Sequence, residues 1–332
     1  MKRLAIIGAG SWGTALAIVL APRFPEIRLW VFEPDLAERM RQKRENDVYL
    51  PGFRLPGNVA PVTEFAAALD GAAIVLGVTP SHVTRAIYER MLPHLEPSMF
   101  FVSATKGLDA KTLMRMSEVV RTVVAERFPP RIAVLSGPTF AREVAAGEPT
   151  AVVVSSTDAE LNGRVQQAFS GPAFRLYTNA DPIGVELAAA LKNVIAIGAG
   201  VSNGLGLGSN AIAALITRGL AEISRLAVAL GGHPRTLAGL AGLGDLVLTC
   251  TGALSRNRQV GIELGRGRQL DEIIGSMRMV AEGVQTTYAA VDLAHGCDIE
   301  MPIIEQVNSI LRGRQSPREA IRELMERSLK KE

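Results

Sequence analysis

The chain has 332 residues, 48% hydrophobic and 21% charged, with 36 Lys and Arg against 33 Asp and Glu for a net charge of +3. At about 100–200 residues per domain this length predicts two domains, and the composition excludes a disordered or fibrous chain. The charge excess is small and scattered and aromatic residues make up 5%, which argues against a nucleic-acid partner.

In chain order, residues 4–22 carry no charge and follow Lys2-Arg3, an arrangement that imitates a signal peptide. Glycines, Ser11 and Thr14 interrupt it, so a strand at 4–8 and a helix at 14–20 are expected instead. A second strand follows at 27–32 and a charged helix at 35–44. Apolar, partly β-branched runs recur at 73–79, 99–104, 132–135 and 151–155, each bounded by Gly, Pro, Ser or Thr. Continuous apolar strands alternating with helical segments predict βαβ units and a parallel sheet buried on both faces. The expected first domain, residues 1–180, is therefore a doubly wound, Rossmann-type α/β fold.

After Asn179-Ala180-Asp181-Pro182 no strand pattern remains. Residues 186–197, 211–229, 256–264 and 303–311 read as helices joined by glycine-rich loops. A final helix starts at Ser316, with Pro317 in its first turn and Glu319 completing a capping box. Residues 181–332 are thus expected to form an all-helical, substrate-binding domain. No stretch outside the first has the about 18 apolar residues of a membrane span. Cys250 and Cys297 lie far apart and read as packed thiols in a reducing compartment. The four histidines lack metal-ligand spacing, so no metal is expected.

Gly8-Ala9-Gly10-Ser11-Trp12-Gly13 fits the dinucleotide pattern G-x-G-x-x-G, but glycine pairs also occur at Gly198-Ala199-Gly200 and Gly242-Leu243-Gly244. Only the first follows an apolar strand and opens a helix. There Gly8 permits the tight turn, Gly10 the approach of a pyrophosphate, and Gly13 close strand–helix packing. Glu33, twenty residues after Gly13, is the acidic residue expected on the adenosine ribose. Ser11 and Trp12 complete the expected cofactor loop.

Further motifs follow in a fixed order: Ser103-Ala104-Thr105-Lys106-Gly107-Leu108, Gly137-Pro138-Thr139-Phe140-Ala141, Leu191-Lys192-Asn193, Gly242-Leu243-Gly244-Asp245-Leu246, Thr249-Cys250-Thr251-Gly252, Ser255-Arg256-Asn257-Arg258 and Val280-Ala281-Glu282-Gly283. With the glycine loop, this set resembles the bacterial NAD(P)-dependent glycerol-3-phosphate dehydrogenases over nearly the whole chain. The resemblance implies a cytoplasmic oxidoreductase interconverting dihydroxyacetone phosphate and sn-glycerol 3-phosphate for phospholipid synthesis. It implies Lys192 as general acid/base, Asp245 beside it on the substrate, and Lys106 touching both cofactor and substrate. Gly137, Thr139, Ser255, Arg256 and Asn257 are implied to bind substrate. Ala141, Arg256, Val280 and Glu282 are implied to bind cofactor.

The residue chemistry agrees. Ketone reduction needs a proton donor at the carbonyl oxygen, and with no well-placed histidine a lysine is the natural choice. Lys192 sits in an apolar helix, where a lysine is unexpected. A hydroxyl, a guanidinium and an amide at Ser255, Arg256 and Asn257 open a helix, which suits a phosphate monoester. Many relatives carry a basic residue at the end of the second strand. Glu33 stands there in this chain, so NAD is expected as the preferred cofactor, with NADP as the lesser one. The expected partner is a small phosphorylated substrate, and the reading is compatible with a homodimer. Two rivals are a hydroxyacid or ketopantoate-type dehydrogenase, which would lack the grip at residues 255–257, and a dinucleotide-sensing module without turnover.

Overall fold

The structure, a computed structural model, describes residues 3–277 and 281–329. The chain forms two compact units, Met1–Lys106 with Met114–Glu186 and Gly107–Leu113 with Leu187–Glu332. The division falls inside the helix Pro182–Gly204 rather than in the loop before it.

The first unit is built on strands β1 (Arg3–Ile7), β2 (Glu26–Trp30), β3 (Glu45–Asn46), β4 (Leu50–Arg54), β5 (Val59–Val62), β6 (Ile74–Gly77), β7 (Phe100–Ser103), β8 (Arg131–Ser136), β9 (Thr150–Ser155) and β10 (Phe174–Asn179). Eight of them make one sheet in the order β5-β2-β1-β6-β7-β8-β9-β10, while β3 and β4 form a separate antiparallel pair. The stretch that imitates a signal peptide supplies β1 and the helix Ser11–Leu20. Alternate residues of β1 enter different cores: Leu4 and Ile6 pack with Leu16, Leu20 and Leu29, and Ala5 and Ile7 with Val75 and Phe101. All nine of these residues lie buried, and with both faces covered the strand reads as a continuous apolar run.

One pairing departs from the all-parallel expectation: β8 and β9 run antiparallel. After Ser136 the chain does not cross over to return in parallel. It turns back through Gly137 and the short helix Ala141–Ala145. The sheet order changes direction at β1, which has β2 on one side and β6 on the other. Ligands of open α/β sheets bind at the carboxyl ends of the strands flanking such a switch point.

In the second unit no strand follows Asn179 among the described residues. Its axis is the helix Pro182–Gly204, which is apolar and long enough to cross a membrane but has its most apolar stretch 94% buried within the fold. The glycines that imitate a nucleotide loop serve packing here. A Cβ on Gly200 would stand 2.0 Å from Arg258 O, and one on Gly204 2.3 Å from Ile262 O. Reciprocally, a Cβ on Gly261 would stand 2.0 Å from Ile197 O and one on Gly265 2.5 Å from Val201 O. The helices Pro182–Gly204 and Arg256–Gly265 therefore touch backbone to backbone. Gly242 lies in a π-helical turn, Leu240–Gly244, where a Cβ would meet Leu237 O at 2.0 Å. The last helix is capped by Ser316 and Glu319 as its sequence predicts.

Candidate active site

In the first unit, the three glycines of the loop after β1 have three different reasons. Gly8 has φ +117°, and a Cβ there would meet Val78 O at 2.7 Å, so both backbone and space demand glycine. A Cβ on Gly13 would lie 1.8 Å from Gly8 O, so the helix can start tight against the turn only with glycine. Gly10 has nothing within 4 Å of its missing Cβ, and it is the N-cap of the helix Ser11–Leu20, with no side-chain cap. An open, glycine-walled helix N-terminus is the cradle a pyrophosphate needs. These residues fit a dinucleotide on their own geometry.

Glu33 stands beyond β2, as the residue before the helix Pro34–Lys43. Its Oε1 accepts a hydrogen bond from the Tyr49 hydroxyl at 2.7 Å. Beside it Phe32 is 68% exposed, although the sequence drew no attention to it. Arg39 and Arg41, on the helix that follows Glu33, are paired with Asp47 and Glu38. Trp12 packs its ring against the core of this unit.

At the carboxyl ends of β7 and β8, Lys106 donates from Nζ to Gly137 O at 3.2 Å and to Thr139 Oγ1 at 3.4 Å. Gly137 has φ +146° and a Cβ there would come 3.0 Å from Val152 Cα, so this turn also requires glycine. Ala141 opens the helix that follows. Three residues expected on the substrate, 106, 137 and 139, thus meet in space.

The second unit carries the remaining residues named by the motifs. Lys192 is buried, and its Nζ donates to Asp245 Oδ1 at 2.6 Å and to Thr249 Oγ1 at 2.7 Å. Asp245 is not a helix cap; it is the first residue of the helix Asp245–Thr251, immediately after the π-helical turn. Thr249 sits one turn later and also donates to Asp245 O at 2.6 Å. The sequence shows Thr249 only as part of a motif; its contact with Lys192 depends on the fold.

Ser255 is the N-cap of the helix Arg256–Gly265, accepting the Arg258 N–H at 3.2 Å. It is buried, and its hydroxyl hydrogen remains a donor. Asn257 Oδ1 accepts the Gly283 N–H at 2.9 Å, which leaves its amide NH2 to donate elsewhere. A Cβ on Gly283 would lie 2.8 Å from Asn193 O and 2.7 Å from Asn257 Oδ1. The turn carrying Lys192, the start of the helix Arg256–Gly265 and the segment from Glu282 therefore share one junction. Arg256, the first residue of that helix, is exposed. Even so, surrounding protein lowers its pKa, and the charge of Glu282 opposes that shift. Val280 lies outside the described residues. Cys250 is buried, and burial pushes its thiol up to about 12, so it is no nucleophile. No group of His, Cys, Asp and Glu able to hold a metal occurs among the described residues.

Residues 3–162 match the family model for the N-terminus of NAD-dependent glycerol-3-phosphate dehydrogenase, and residues 181–322 the model for its C-terminus. Glycerol-3-phosphate dehydrogenase [NAD(P)+] of Koribacter versatilis is 57% identical over 98% of both chains. Its counterpart in Citrifermentans bemidjiense is 52% identical over 100% of this chain and 99% of that one. The crystal structure of glycerol-3-phosphate dehydrogenase from Coxiella burnetii superposes with a TM-score of 0.94 at 43% identity, covering 98% of this chain and 99% of that chain. With both domain models matched in order and relatives aligned end to end, the chain belongs to the NAD-dependent glycerol-3-phosphate dehydrogenase family.

Proposed function

We propose that the protein reduces dihydroxyacetone phosphate to sn-glycerol 3-phosphate with Lys192 as the proton donor. The observation that carries this is the buried contact of Lys192 with Asp245 and Thr249, in the unit that also carries Arg256 and Asn257. The nicotinamide cofactor supplies the hydride when bound. Lys192 holds a proton at Nζ for the oxygen that becomes the alcohol. Asp245 and Thr249 fix that nitrogen, so a donor stands ready without reorganisation. Ser255, Arg256 and Asn257 supply hydroxyl, guanidinium and amide donors to the phosphate. Lys106, Gly137 and Thr139 form a polar cluster within the first unit, and their motifs assign it to ligand binding. Ala141, Val280 and Glu282 are assigned to the cofactor by their motifs.

Glu33 favours NAD(H) over NADP(H). Its carboxylate accepts from the adenosine ribose hydroxyls, a charge-assisted bond of about 1.5–3 kcal/mol. A 2′-phosphate loses that bond and adds like-charge repulsion, about 4 kcal/mol for unit charges ~4 Å apart at an effective dielectric of ~20. After screening the net preference is about 2–4 kcal/mol, or roughly 30–1000-fold. Phe32 offers a ring face beside the same carboxylate. A reducing, cytoplasmic setting suits the two free thiols.

The test is loss of reduced-nicotinamide absorbance when dihydroxyacetone phosphate is added to the protein and NADH. Unphosphorylated dihydroxyacetone is expected to be far poorer, because the donors at residues 255–257 are left without their acceptor. Equal turnover of the two ketones overturns the phosphate assignment.

A further inference from the structure

The pair β3 and β4, with the turn between them, ties together two parts of the nucleotide site that are distant in sequence. Asn46 is fully buried. Its Nδ2 donates to Ala9 O at 2.8 Å and to Thr14 Oγ1 at 2.8 Å, and its Oδ1 accepts the Tyr49 N–H at 3.0 Å. The Ser11 hydroxyl donates to the Tyr49 carbonyl at 2.6 Å. The backbone of Tyr49 is thereby fixed to the glycine turn from both its N–H and its carbonyl. Its side chain then reaches Glu33, donating from the hydroxyl to Oε1 at 2.7 Å.

That bond has a direction. The Glu33 carboxylate, with burial, raises the Tyr49 phenol to about 12, so it stays protonated and stays a donor across the physiological range. Glu33 Oε2 has no hydrogen bond among the described residues. One oxygen is held and the other is left to accept. A glutamate without such a partner samples several rotamers and must be ordered when a ligand binds; a charge-assisted bond from a fixed donor removes that cost beforehand.

We propose that Tyr49 is the positioning residue for cofactor selection: its hydroxyl holds Glu33 so that the remaining carboxylate oxygen meets the ribose, in register with the glycine turn that takes the pyrophosphate. The inference rests on the reading of Glu33 as the ribose acceptor. Its consequence is specific to the non-phosphorylated dinucleotide. A held carboxylate helps a ribose 2′-hydroxyl and repels a 2′-phosphate, whereas a released one helps less and can swing away.

The experiment is steady-state kinetics with NADH and with NADPH on the wild type, Tyr49→Phe, Glu33→Ala and the double variant. Tyr49→Phe is expected to raise the KM for NADH by roughly 2–10-fold, the cost of ordering a Glu33 side chain that is no longer held beforehand. The effect falls on KM rather than kcat, and the KM for NADPH does not rise with it, so the selectivity ratio shrinks. In the Glu33→Ala background the same substitution is expected to change neither KM, because there is no carboxylate left to hold. A purely structural Tyr49 would weaken both cofactors alike and would do so in both backgrounds; that result overturns the proposal. If Glu33→Ala collapses the selectivity while Tyr49→Phe leaves it intact, Glu33 selects the cofactor and Tyr49 does not position it. If Glu33→Ala itself leaves selectivity unchanged, both readings fall.

Discussion

Lys192 and Asp245 are 53 residues apart in the chain, yet the ammonium of the first donates to Oδ1 of the second at 2.6 Å, with both side chains buried. A lysine on the buried face of an apolar helix is costly unless its charge is met, and here a carboxylate and a threonine hydroxyl meet it. The same contacts fix the nitrogen in space. Burial and position thus have one cause.

Removing the ammonium is expected to remove proton transfer. Lys192→Ala should lower kcat by about 10²–10⁴-fold, the usual worth of a positioned acid/base. NADH affinity, measured by fluorescence titration, should change little, because the residue lies outside the glycine loop. Asp245 also loses its cation, so unfolding should be measured alongside, with a stability loss of about 3–5 kcal/mol expected. A variant with near-normal kcat removes Lys192 from the mechanism.

Arg256→Lys tests geometry against charge. An ammonium cannot reproduce two parallel N–H donors toward a phosphate. The expected loss is about 1.5–3 kcal/mol, or about 10–100-fold in kcat/KM for dihydroxyacetone phosphate. The exposure of Arg256 gives lysine room to reach, so full recovery of activity would mean that charge alone is used.

The glycines of the second unit make a contrasting pair of substitutions with one in the first. Gly261→Ala places a Cβ 2.0 Å from Ile197 O, where only backbone movement relieves the clash. Overpacking of this kind costs about 1–3 kcal/mol or more, read as a lower midpoint in urea. Gly163→Ala lies on an exposed face of the helix Ala159–Phe169 with nothing within 4 Å, and should stabilise by about 0.5–1 kcal/mol. Equal effects of the two would refute the close-contact account.

Glu222 gives stability a pH dependence. It is buried, and its carboxylate accepts the N–H groups of Ile303 and Ile304 at 2.9–3.3 Å. Burial raises its pKa from 4.5 to about 7; those N–H groups and Arg225 pull it down, and Glu305 adds to the rise. The unfolded chain releases this proton near pH 4.5 and the folded chain near 7, so the folded state holds the extra proton in between. The contribution is complete below the lower value and is lost as pH rises through the upper one, on the order of 3 kcal/mol. Glu222→Gln should remove that slope, and its advantage over the wild type should grow from pH 5 to pH 8 in denaturant titrations. A difference that does not change with pH would exclude Glu222 as the source.

The buried strands and the long helices were legible because their patterns are local. β1, β2, β6, β7, β8 and β9 are apolar runs between turn residues, and the first glycine loop is marked by the strand before it and the helix after it. β5 carries Pro61, and β10 alternates buried Phe174 and Leu176 with exposed Arg175 and Tyr177, so neither gives the proline-free, continuous apolar run of the central strands. The pair β3 and β4 gives no periodic signal at all, and Asn46 and Tyr49 matter through hydrogen bonds to residues 16 to 38 positions away. The roles of Lys192, Asp245 and Arg256 came from resemblance; spacing alone leaves each with an ordinary structural alternative. The second set of glycines was separable from a nucleotide loop by context, but only three-dimensional packing tells what those glycines are for.

That packing also sets what the protein can become. Where two helices meet main chain to main chain, every substitution at Gly200, Gly204, Gly261 or Gly265 adds atoms and none takes any away. The seam acts as a gauge already at its lowest stop: larger residues can only widen the spacing of the two helix axes, and no residue can narrow it. Variation along this seam is therefore a one-way route: it can part the helix that carries Lys192 from the helix that Ser255 caps, and it cannot draw them closer.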